Sequence, residues 1–176
     1  MKILILVSGK AQSGKDSIGE YLVFKYGFKR YAFADRLKEV ATELGWNGEK
    51  DFAGRKFLQE FGSVVRNYDP DTWVNIVLNG IKRDLPDRIV ITDCRYANEY
   101  VLMSEFARSN GYIFIPIKIF RPGVQIDGIL SKHESEREFE QFPGIAVKND
   151  GTLEELHEKI DFLISEGVLH FVEAER

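Results

Sequence analysis

The sequence KILILVSGKAQSGKDS, residues 2–17, joins an apolar run to a glycine-rich turn. Its first part, Lys2–Ser8, is rich in Ile, Leu and Val without alternation, which is typical of a parallel strand covered on both faces. After the turn, Ile18, Leu22 and Tyr26 recur at helical spacing. The order of strand, loop and helix predicts the first unit of a parallel α/β sheet, with Lys2–Ser8 as its central strand.

The turn at residues 9–17 matches the phosphate-loop pattern G-x-x-x-x-G-K. Its glycines let backbone N–H groups face phosphate oxygens, and the positive end of the following helix points at the same anion. Lys15 is placed to reach the β and γ phosphates of a nucleoside triphosphate. An ordinary strand-to-helix turn is the alternative, but such a turn needs no lysine. We assign triphosphate binding to Gly9, Ser13, Gly14, Lys15, Asp16 and Ser17.

Asp16 stands where Ser or Thr usually follows the loop lysine. The usual hydroxyl helps to hold the magnesium ion between the β and γ phosphates, and a carboxylate can hold Mg²⁺ directly or through water. The alternative is that Asp16 only complements the helix dipole. Under the first reading Asp16 is the metal-binding residue and Ser17 is the hydroxyl that contacts phosphate.

Strand and helix patterns alternate along the rest of the chain. Further strands are predicted at residues 31–34, 88–92, 112–120 and 145–147. Further helices are predicted around residues 37–44 and 57–68, from Asp69-Pro70 onward, at 98–110, and after a capping box formed by Thr152 and Glu155. This alternation predicts one domain over residues 1–176 with a three-layer P-loop NTPase fold, in which helices cover both faces of a parallel five-stranded sheet.

Asp93 and Arg95 follow a predicted strand directly. Ligands of open parallel sheets bind at the carboxyl ends of the strands. Asp93 could therefore hold an acceptor group or a magnesium-bound water, and Arg95 could neutralise charge on the transferred phosphoryl group. The alternative is that Asp93 and Arg95 form an ion pair with a purely structural role at the end of the strand. The candidate catalytic residues are thus Lys15, Asp93 and Arg95.

A polar face is predicted on the helix around residues 57–68, where Arg55, Gln59, Gly62 and Arg66 stack on one side. Arg36 and Lys38 stand at the start of the preceding predicted helix. Arg binds phosphate bidentately, so this cluster, with Asp93, is the candidate acceptor site. The alternative for any one of these side chains is that it is simply exposed to solvent on the helix surface.

Residues 122–143 are polar and weakly periodic, which predicts a small lid. The basic residues at and within this segment are Arg121, Lys132, His133 and Arg137. A basic side chain that enters the site on closure would exclude water and screen phosphate charge. A general-base role for His133 is weaker, because phosphoryl transfer depends on positioning more than on proton removal.

Composition limits the class of protein. The chain has 176 residues, 44% of them hydrophobic and 30% charged, which is the balance of one globular domain. A formal charge of −4 argues against broad nucleic-acid binding. No apolar run approaches the roughly 20 residues that span a bilayer, and the single Cys94 agrees with a reducing compartment. We therefore expect a cytoplasmic protein with no membrane or nucleic-acid partner, either a monomer or a homodimer.

The motifs together resemble the deoxynucleoside monophosphate kinases of bacteriophages, within the nucleoside monophosphate kinase-like group. The segments that carry this resemblance are Ser-Gly-Lys-Asp-Ser at 13–17, Leu58-Gln59 with Gly62, Tyr68-Asp69 with Trp73-Val74, Asp93-Cys94-Arg95 with Glu99, Arg121-Pro122-Gly123, His133 with Glu136, and Asn149-Asp150-Gly151 with residues 153–156. They span nearly the whole chain in the same order. Asp also follows the loop lysine in that family.

The resemblance implies a nucleotide-biosynthesis enzyme that uses ATP and magnesium to convert a 2'-deoxynucleoside monophosphate to its diphosphate. By the same likeness Lys15, Arg95 and Arg121 would serve the transferring phosphates, which adds Arg121 to the candidate catalytic residues. Arg36, Gln59 and Arg66 would face the acceptor, and Asn149 and Gly151 would lie on the adenine side.

Two other functions remain open at the level of sequence. A similar Ser-Gly-Lys-Asp loop occurs in animal phosphomevalonate kinases, so a kinase of a non-nucleotide phosphate, of the phosphomevalonate or dephospho-coenzyme A type, is one alternative. A nucleotide-binding regulatory protein with little catalysis is the other. A guanine-specific switch protein would show Asn-Lys-x-Asp after a strand, which Val147-Lys148-Asn149-Asp150 does not match.

Overall fold

The computed structural model describes residues 1–124 and 138–174. The strands are β1 (Lys2–Ser8), β2 (Lys29–Tyr31), β3 (Arg88–Cys94), β4 (Tyr112–Phe120) and β5 (Ile145–Lys148). The helices are α1 (Lys15–Tyr26), α2 (Phe33–Glu43), α3 (Phe52–Tyr68), α4 (Thr72–Asp84), α5 (Ala97–Ser109) and α6 (Leu153–Ala174), with a short 3-10 helix at Glu138–Gln141.

The strands form one parallel five-stranded sheet in the order β2-β3-β1-β4-β5. In this register Ile5 of β1 lies between Val90 of β3 and Ile115 of β4. The prediction of a parallel sheet with Lys2–Ser8 at its centre is confirmed. The strand order reverses at β1, which is the point where parallel α/β sheets bind ligands beyond their carboxyl ends.

Helices cover both faces of the sheet, as the alternating pattern predicted. On one face Leu4 and Leu6 of β1 belong to an apolar cluster with Trp73 of α4 and residues of α5. On the other face Ile5 of β1 belongs to a cluster with Ile18 of α1 and residues of α6. Adjacent residues of β1 serve opposite layers, which explains why its sequence is apolar without interruption.

The boundary between β2 and α2 differs from the prediction. Residues 31–34 were predicted as a strand, but β2 ends at Tyr31 and α2 begins at Phe33. The two carboxylate oxygens of Asp93 accept the backbone N–H groups of Phe33 and Ala34, each at 2.9 Å. This cap comes from a residue far along the chain, so the local pattern could not indicate where the helix starts.

Helix α4 also begins later than predicted, at Thr72 rather than directly after Asp69. The Asp69 carboxylate accepts the backbone N–H of Asp71 and the hydroxyl of Thr72, each at 3.0 Å. It therefore stabilises a turn through Pro70 that precedes the helix. At the other end of the chain, the capping box predicted for α6 is present, because Thr152 and Glu155 each bond to the other's backbone N–H.

Helix α3 packs against α2 and α4. Leu58, Phe61 and Val65 are partly buried against the core, but Val64 and Tyr68 of the same helix are 67% and 92% exposed. The contacts with α2 and α4 therefore bury only some of the apolar side chains of α3. Within residues 1–124 and 138–174, no helix has the length and apolar character needed to cross a bilayer.

Candidate active site

The loop between β1 and α1 bends away from the sheet through three residues with positive φ, Gly9 (151°), Gln12 (63°) and Gly14 (107°). A Cβ on Gly9 would collide with the backbone oxygen of Ile119 in β4. One on Gly14 would lie 2.6 Å from the side-chain nitrogen of Asn149. The glycines are therefore needed for conformation and for close approach to the neighbouring strand and loop.

Lys15, the first residue of α1, folds back over this loop. Its Nζ donates hydrogen bonds to the carbonyl oxygens of Gly9 at 2.8 Å and Lys10 at 2.5 Å. Only 7% of the residue is exposed. A buried ammonium attracts anions more strongly than one in water, and the N-terminus of α1 adds its positive dipole. The loop thus concentrates positive potential at the carboxyl end of β1.

Two buried hydroxyls beside the loop have no hydrogen-bond partner, and they are the only such side-chain atoms among the described residues. They are Oγ of Ser13, within the loop, and Oγ1 of Thr92, at the end of β3. An unpaired buried hydroxyl costs about 1–3 kcal/mol. An oxygen-rich ligand at this edge of the sheet would satisfy both groups.

A cavity of about 370 Å³ extends from the loop across the carboxyl end of β3 to α2 and α3. Its lining includes seven Lys or Arg side chains but only two carboxylates, those of Asp16 and Asp93. Such an excess of positive charge in a concave site favours an anionic ligand. The cavity volume falls in the range of sites for small molecules and cofactors.

The structure brings most of the predicted acceptor residues to this cavity. Lys38 of α2, Gln59 and Arg66 of α3, and Asp93 all line it, together with Arg95. Arg36 does not, because its guanidinium pairs with Glu39 at 3.0 Å and Glu43 at 3.4 Å on an exposed face of α2. Arg36 was predicted to face the acceptor, but it does not line this cavity.

Three lining cations were not among the predicted site residues: Arg30, Lys50 and Arg55. Arg55 precedes Gln59 by four residues on α3, so the helical spacing that selected Gln59 also indicated Arg55. Arg30 lies in a three-residue strand and Lys50 in a connecting segment. Neither has a local pattern that marks it.

Asp93 has a structural role at the wall of the cavity. Its carboxylate caps α2 through the bonds to Phe33 and Ala34 already described. It thereby fixes the helix that carries Lys38. This explains why an acidic residue stands in a cationic cavity, and its predicted catalytic role stays a prediction.

Glu99 of α5 lies behind Arg95 and is 2% exposed. Its Oε2 accepts the backbone N–H groups of Arg95 at 2.7 Å and Tyr96 at 3.1 Å, and its Oε1 lies 3.7 Å from Nη2 of Arg66. The Arg66 guanidinium stacks 4.0 Å from the centre of the Tyr96 ring. Burial raises the pKa of Glu99 to about 7, while the backbone N–H groups and Arg66 oppose the rise.

On the predicted adenine side, Asn149 is buried and follows β5. Its side-chain amide donates to the carbonyl of Ser13 at 2.9 Å, and its backbone N–H donates to the carbonyl of Phe120 at 2.9 Å. Asn149 therefore ties the segment before α6 to the phosphate loop. Gly151 lies in the same segment, where a Cβ would collide with the side chain of Glu155.

The remaining predicted residues lie at the rim or outside the described part of the chain. Arg121 is exposed directly after β4 and does not line the cavity. Lys132, His133 and Arg137 fall outside the described residues. At the described end of the predicted lid, Glu140 lies 3.3 Å from Nζ of Lys10 in the phosphate loop.

The donors at the cavity suit a magnesium ion that takes most ligands from phosphate and water. Asp16 lines the cavity from the first turn of α1 and is exposed. Within residues 1–124 and 138–174, no group of three or more His, Cys, Asp or Glu side chains forms a metal cage. One carboxylate with substrate phosphates is a common way for proteins to hold Mg²⁺.

Solved structures share this architecture. A kinase-like protein of Chloroflexus aurantiacus superposes with a TM-score of 0.56 at 13% identity, covering 94% of this chain and 97% of its own. An adenosine phosphosulfate (APS) kinase of Mycobacterium tuberculosis, solved with AMPPNP and APS, has a TM-score of 0.51 at 13% identity and covers 93% and 98% of the two chains. The sheet order, the phosphate loop and the buried lysine define a P-loop kinase fold.

Sequence comparison gives the family. The family described as deoxynucleotide monophosphate kinase matches residues 41–160. A protein of Acanthamoeba polyphaga mimivirus, assigned as a deoxynucleotide monophosphate kinase, is 30% identical to this chain. The alignment has 190 positions and covers 90% of this chain and 94% of the mimivirus protein. The chain belongs to the deoxynucleotide monophosphate kinase family and is a phosphotransferase. The resemblance noted from its motifs is thus confirmed.

Proposed function

We propose that the protein transfers the γ-phosphoryl group of ATP to a 2'-deoxynucleoside 5'-monophosphate and releases ADP and the deoxynucleoside diphosphate. The observation that carries this proposal is the continuity of the phosphate loop with the cationic cavity, since Lys15 and Asp16 belong to both. A donor bound by the loop would present its terminal phosphate to an acceptor in the cavity. Family membership supports the choice of acceptor.

The donor side is the loop at residues 9–14 with the start of α1. Backbone N–H groups and the Ser13 hydroxyl would bind phosphate oxygens, and the Lys15 ammonium would exchange contact with the loop carbonyls for contact with the β and γ phosphates. Asn149 keeps the loop in shape from the other side through its bond to Ser13.

The acceptor side is the cavity between the loop, α2 and α3. Arg55, Gln59 and Arg66 lie on its α3 wall and Lys38 on its α2 wall. Guanidinium groups suit the dianionic phosphate of the acceptor, and the apolar side chains of Leu37 and Leu58 would contact its base.

Transfer in this site needs positioning and charge neutralisation rather than a covalent intermediate. Arg95, directly after β3, lines the cavity and would stabilise negative charge on the transferred group. Asp16 is the side chain that would hold the magnesium ion, whose role when bound is to neutralise charge on the β and γ phosphates.

A coupled assay of ADP release tests the proposal. With ATP and magnesium fixed, ADP should accumulate only when one of dGMP, dTMP, dCMP or dAMP is added. Phosphomevalonate and dephospho-coenzyme A serve as non-nucleotide acceptors in parallel wells. Turnover with either of these and with none of the four nucleotides would contradict the proposed acceptor. ATP binding without turnover in any well would favour a regulatory role.

A further inference from the structure

Glu99 is a buried carboxylate that stands outside the phosphate loop and does not line the cavity. Instead it touches two of the elements that form the cavity wall. One of its oxygens accepts the backbone N–H groups of Arg95 and Tyr96, which hold the turn between β3 and α5. The other oxygen faces the guanidinium of Arg66, which comes from α3.

The Arg66 guanidinium contacts two neighbouring groups. Glu99 lies 3.7 Å from one nitrogen and the centre of the Tyr96 ring lies 4.0 Å from the central carbon, while Gly62 leaves room for the other terminal nitrogen, which would lie 3.0 Å from a Cβ at that position. Its side chain is 20% exposed, and it lines the cavity. A long cationic side chain loses little further entropy on binding a ligand when it is already held in this way.

We propose that Glu99 is a positioning residue for the acceptor: its ionised carboxylate fixes the backbone beneath Arg95 and orients the Arg66 guanidinium into the cavity. This inference rests on the proposed function. It assigns the alignment of two cations, Arg95 in the turn after β3 and Arg66 on α3, to one buried carboxylate. Glu99 acts through these residues and need not contact the acceptor.

The energetics favour a functional role over a purely structural one. Burial raises the pKa of Glu99 to about 7, and the charge of Asp93 on β3 adds to the rise, while Arg66 and the two N–H groups oppose it. Burial raises the pKa of Cys94, also on β3, and the charge of Glu99 adds to the rise. Keeping this carboxylate ionised near neutrality therefore opposes folding. A buried carboxylate with a perturbed pKa beside a cavity is an indication of a functional site.

The proposal predicts a pH dependence confined to the acceptor. Below about pH 7, Glu99 takes up a proton and Arg66 loses its anionic partner, so the KM for the monophosphate should rise as pH falls. The KM for ATP depends on the phosphate loop, so it should not rise with the acceptor KM as the pH falls. Because the acceptor phosphate also titrates near pH 6, the profile of the wild type is compared with that of a variant.

Glu99→Gln is the informative variant because its amide oxygen can still accept the N–H groups of Arg95 and Tyr96, while its NH₂ group presents a donor to Arg66. We expect the acceptor KM to rise about tenfold at pH 8, the order for losing one hydrogen bond to a charged group. The ATP KM should stay within about twofold, and the difference from the wild type should shrink toward pH 6. Glu105→Gln, at an exposed position of α5, is the matched control and should behave as the wild type.

Binding of the same four monophosphates, measured by calorimetry at pH 8 and pH 6, separates failure of this inference from failure of the proposed function. Normal turnover and unchanged acceptor KM in Glu99→Gln overturn the role of Glu99 alone. Equal losses for ATP and acceptor, with a lower melting temperature, also overturn it, because they indicate general damage. Binding that weakens in Glu99→Gln while the wild type shows no turnover supports Glu99 and contradicts the kinase proposal. No binding of any monophosphate to the wild type overturns both.

Discussion

The side-chain amide of Asn149 donates a 2.9 Å hydrogen bond to the carbonyl oxygen of Ser13, although 136 residues separate them in sequence. This bond joins the segment before α6 to the loop that precedes α1. It engages one carbonyl of the phosphate loop, and it is buried, so water does not compete for it. The shape of the phosphate loop thus depends on the last strand of the sheet.

Asn149→Ala should weaken ATP binding without changing acceptor binding. The loop loses one buried hydrogen bond, whose net worth of about 1 kcal/mol predicts a rise of roughly fivefold in the ATP KM. Steady-state kinetics with each substrate varied in turn measure this. Asn110→Ala removes an exposed amide that bonds to Phe106 and is the control. An equal rise in both KM values would contradict the assignment.

Lys15→Ala should lose most turnover, by about 100-fold or more, the loss typical when one group that stabilises transition-state charge is removed. Lys15 donates to the carbonyls of Gly9 and Lys10 in its own loop, and we expect the fold to survive the loss of these two bonds. Circular dichroism and the ADP-release assay measure the two properties. Lys56→Ala, at an exposed position of α3, is the control. Near-normal activity in Lys15→Ala would overturn the assignment of the phosphate loop.

Arg55→Ala and Arg36→Ala form a matched pair that tests the position of the acceptor. Arg55 lines the cavity, whereas Arg36 pairs with glutamates outside it. We expect Arg55→Ala to raise the acceptor KM about tenfold, the order for one charge-assisted contact, and Arg36→Ala to leave it unchanged. The opposite result in the same kinetic assay would place the acceptor on the other face of α2.

Gly9→Ala should destabilise the fold and not only the site. A side chain at φ 151° meets the backbone oxygen of Ile119, and the conformation alone costs on the order of 1–3 kcal/mol for other residues. Gly27→Ala also has positive φ but nothing within 4 Å of its Cβ, so it should cost only about 1 kcal/mol. Urea denaturation compares the two. Equal losses would show that the close contact with β4 is unimportant.

Asp84 should contribute to stability at neutral pH and lose that contribution in acid. Lys29, Arg83 and Tyr31 hydrogen-bond its carboxylate and hold its pKa well below the ordinary value of 3.8. For a lowered carboxyl pKa, the stabilisation is present above the unfolded value and disappears as pH falls through the folded one. Asp84→Asn should therefore lower the melting temperature at pH 7 and have less effect below about pH 3. A constant difference across this range would contradict the ion-pair explanation.

Local pattern predicted the parts of the fold that depend on local physics. The apolar run Lys2–Ser8 predicted the central strand, because a strand that is buried on both faces needs apolar residues throughout. The glycine spacing after it predicted the phosphate loop, because backbone with positive φ favours glycine. The start of α2 was misplaced because its cap comes from Asp93, which is brought near only by the sheet.

The candidate site was predicted in part for the same reason. Helical spacing selected Gln59 and Arg66, position after a strand selected Arg95, and all three line the cavity. Arg36 was selected because it lies near a helix start, but its side chain pairs with Glu39 and does not line the cavity. Which side of α2 faces the cavity depends on how that helix packs, and the local sequence of the helix does not determine this. Arg30 and Lys50 reach the cavity only through the tertiary fold.

The cap that Asp93 places on α2 has a consequence for the response to salt. Its carboxylate occupies the backbone N–H groups of Phe33 and Ala34 and offsets the positive end of the helix. The acceptor phosphate would therefore be bound by side-chain cations alone. Dissolved salt screens the attraction between these cations and the phosphate over about 10 Å at 0.1 M. In the proposed function the donor phosphates would instead lie in direct contact with backbone N–H groups of the loop. Raising the ionic strength should weaken the hold on the acceptor well before it weakens the hold on ATP.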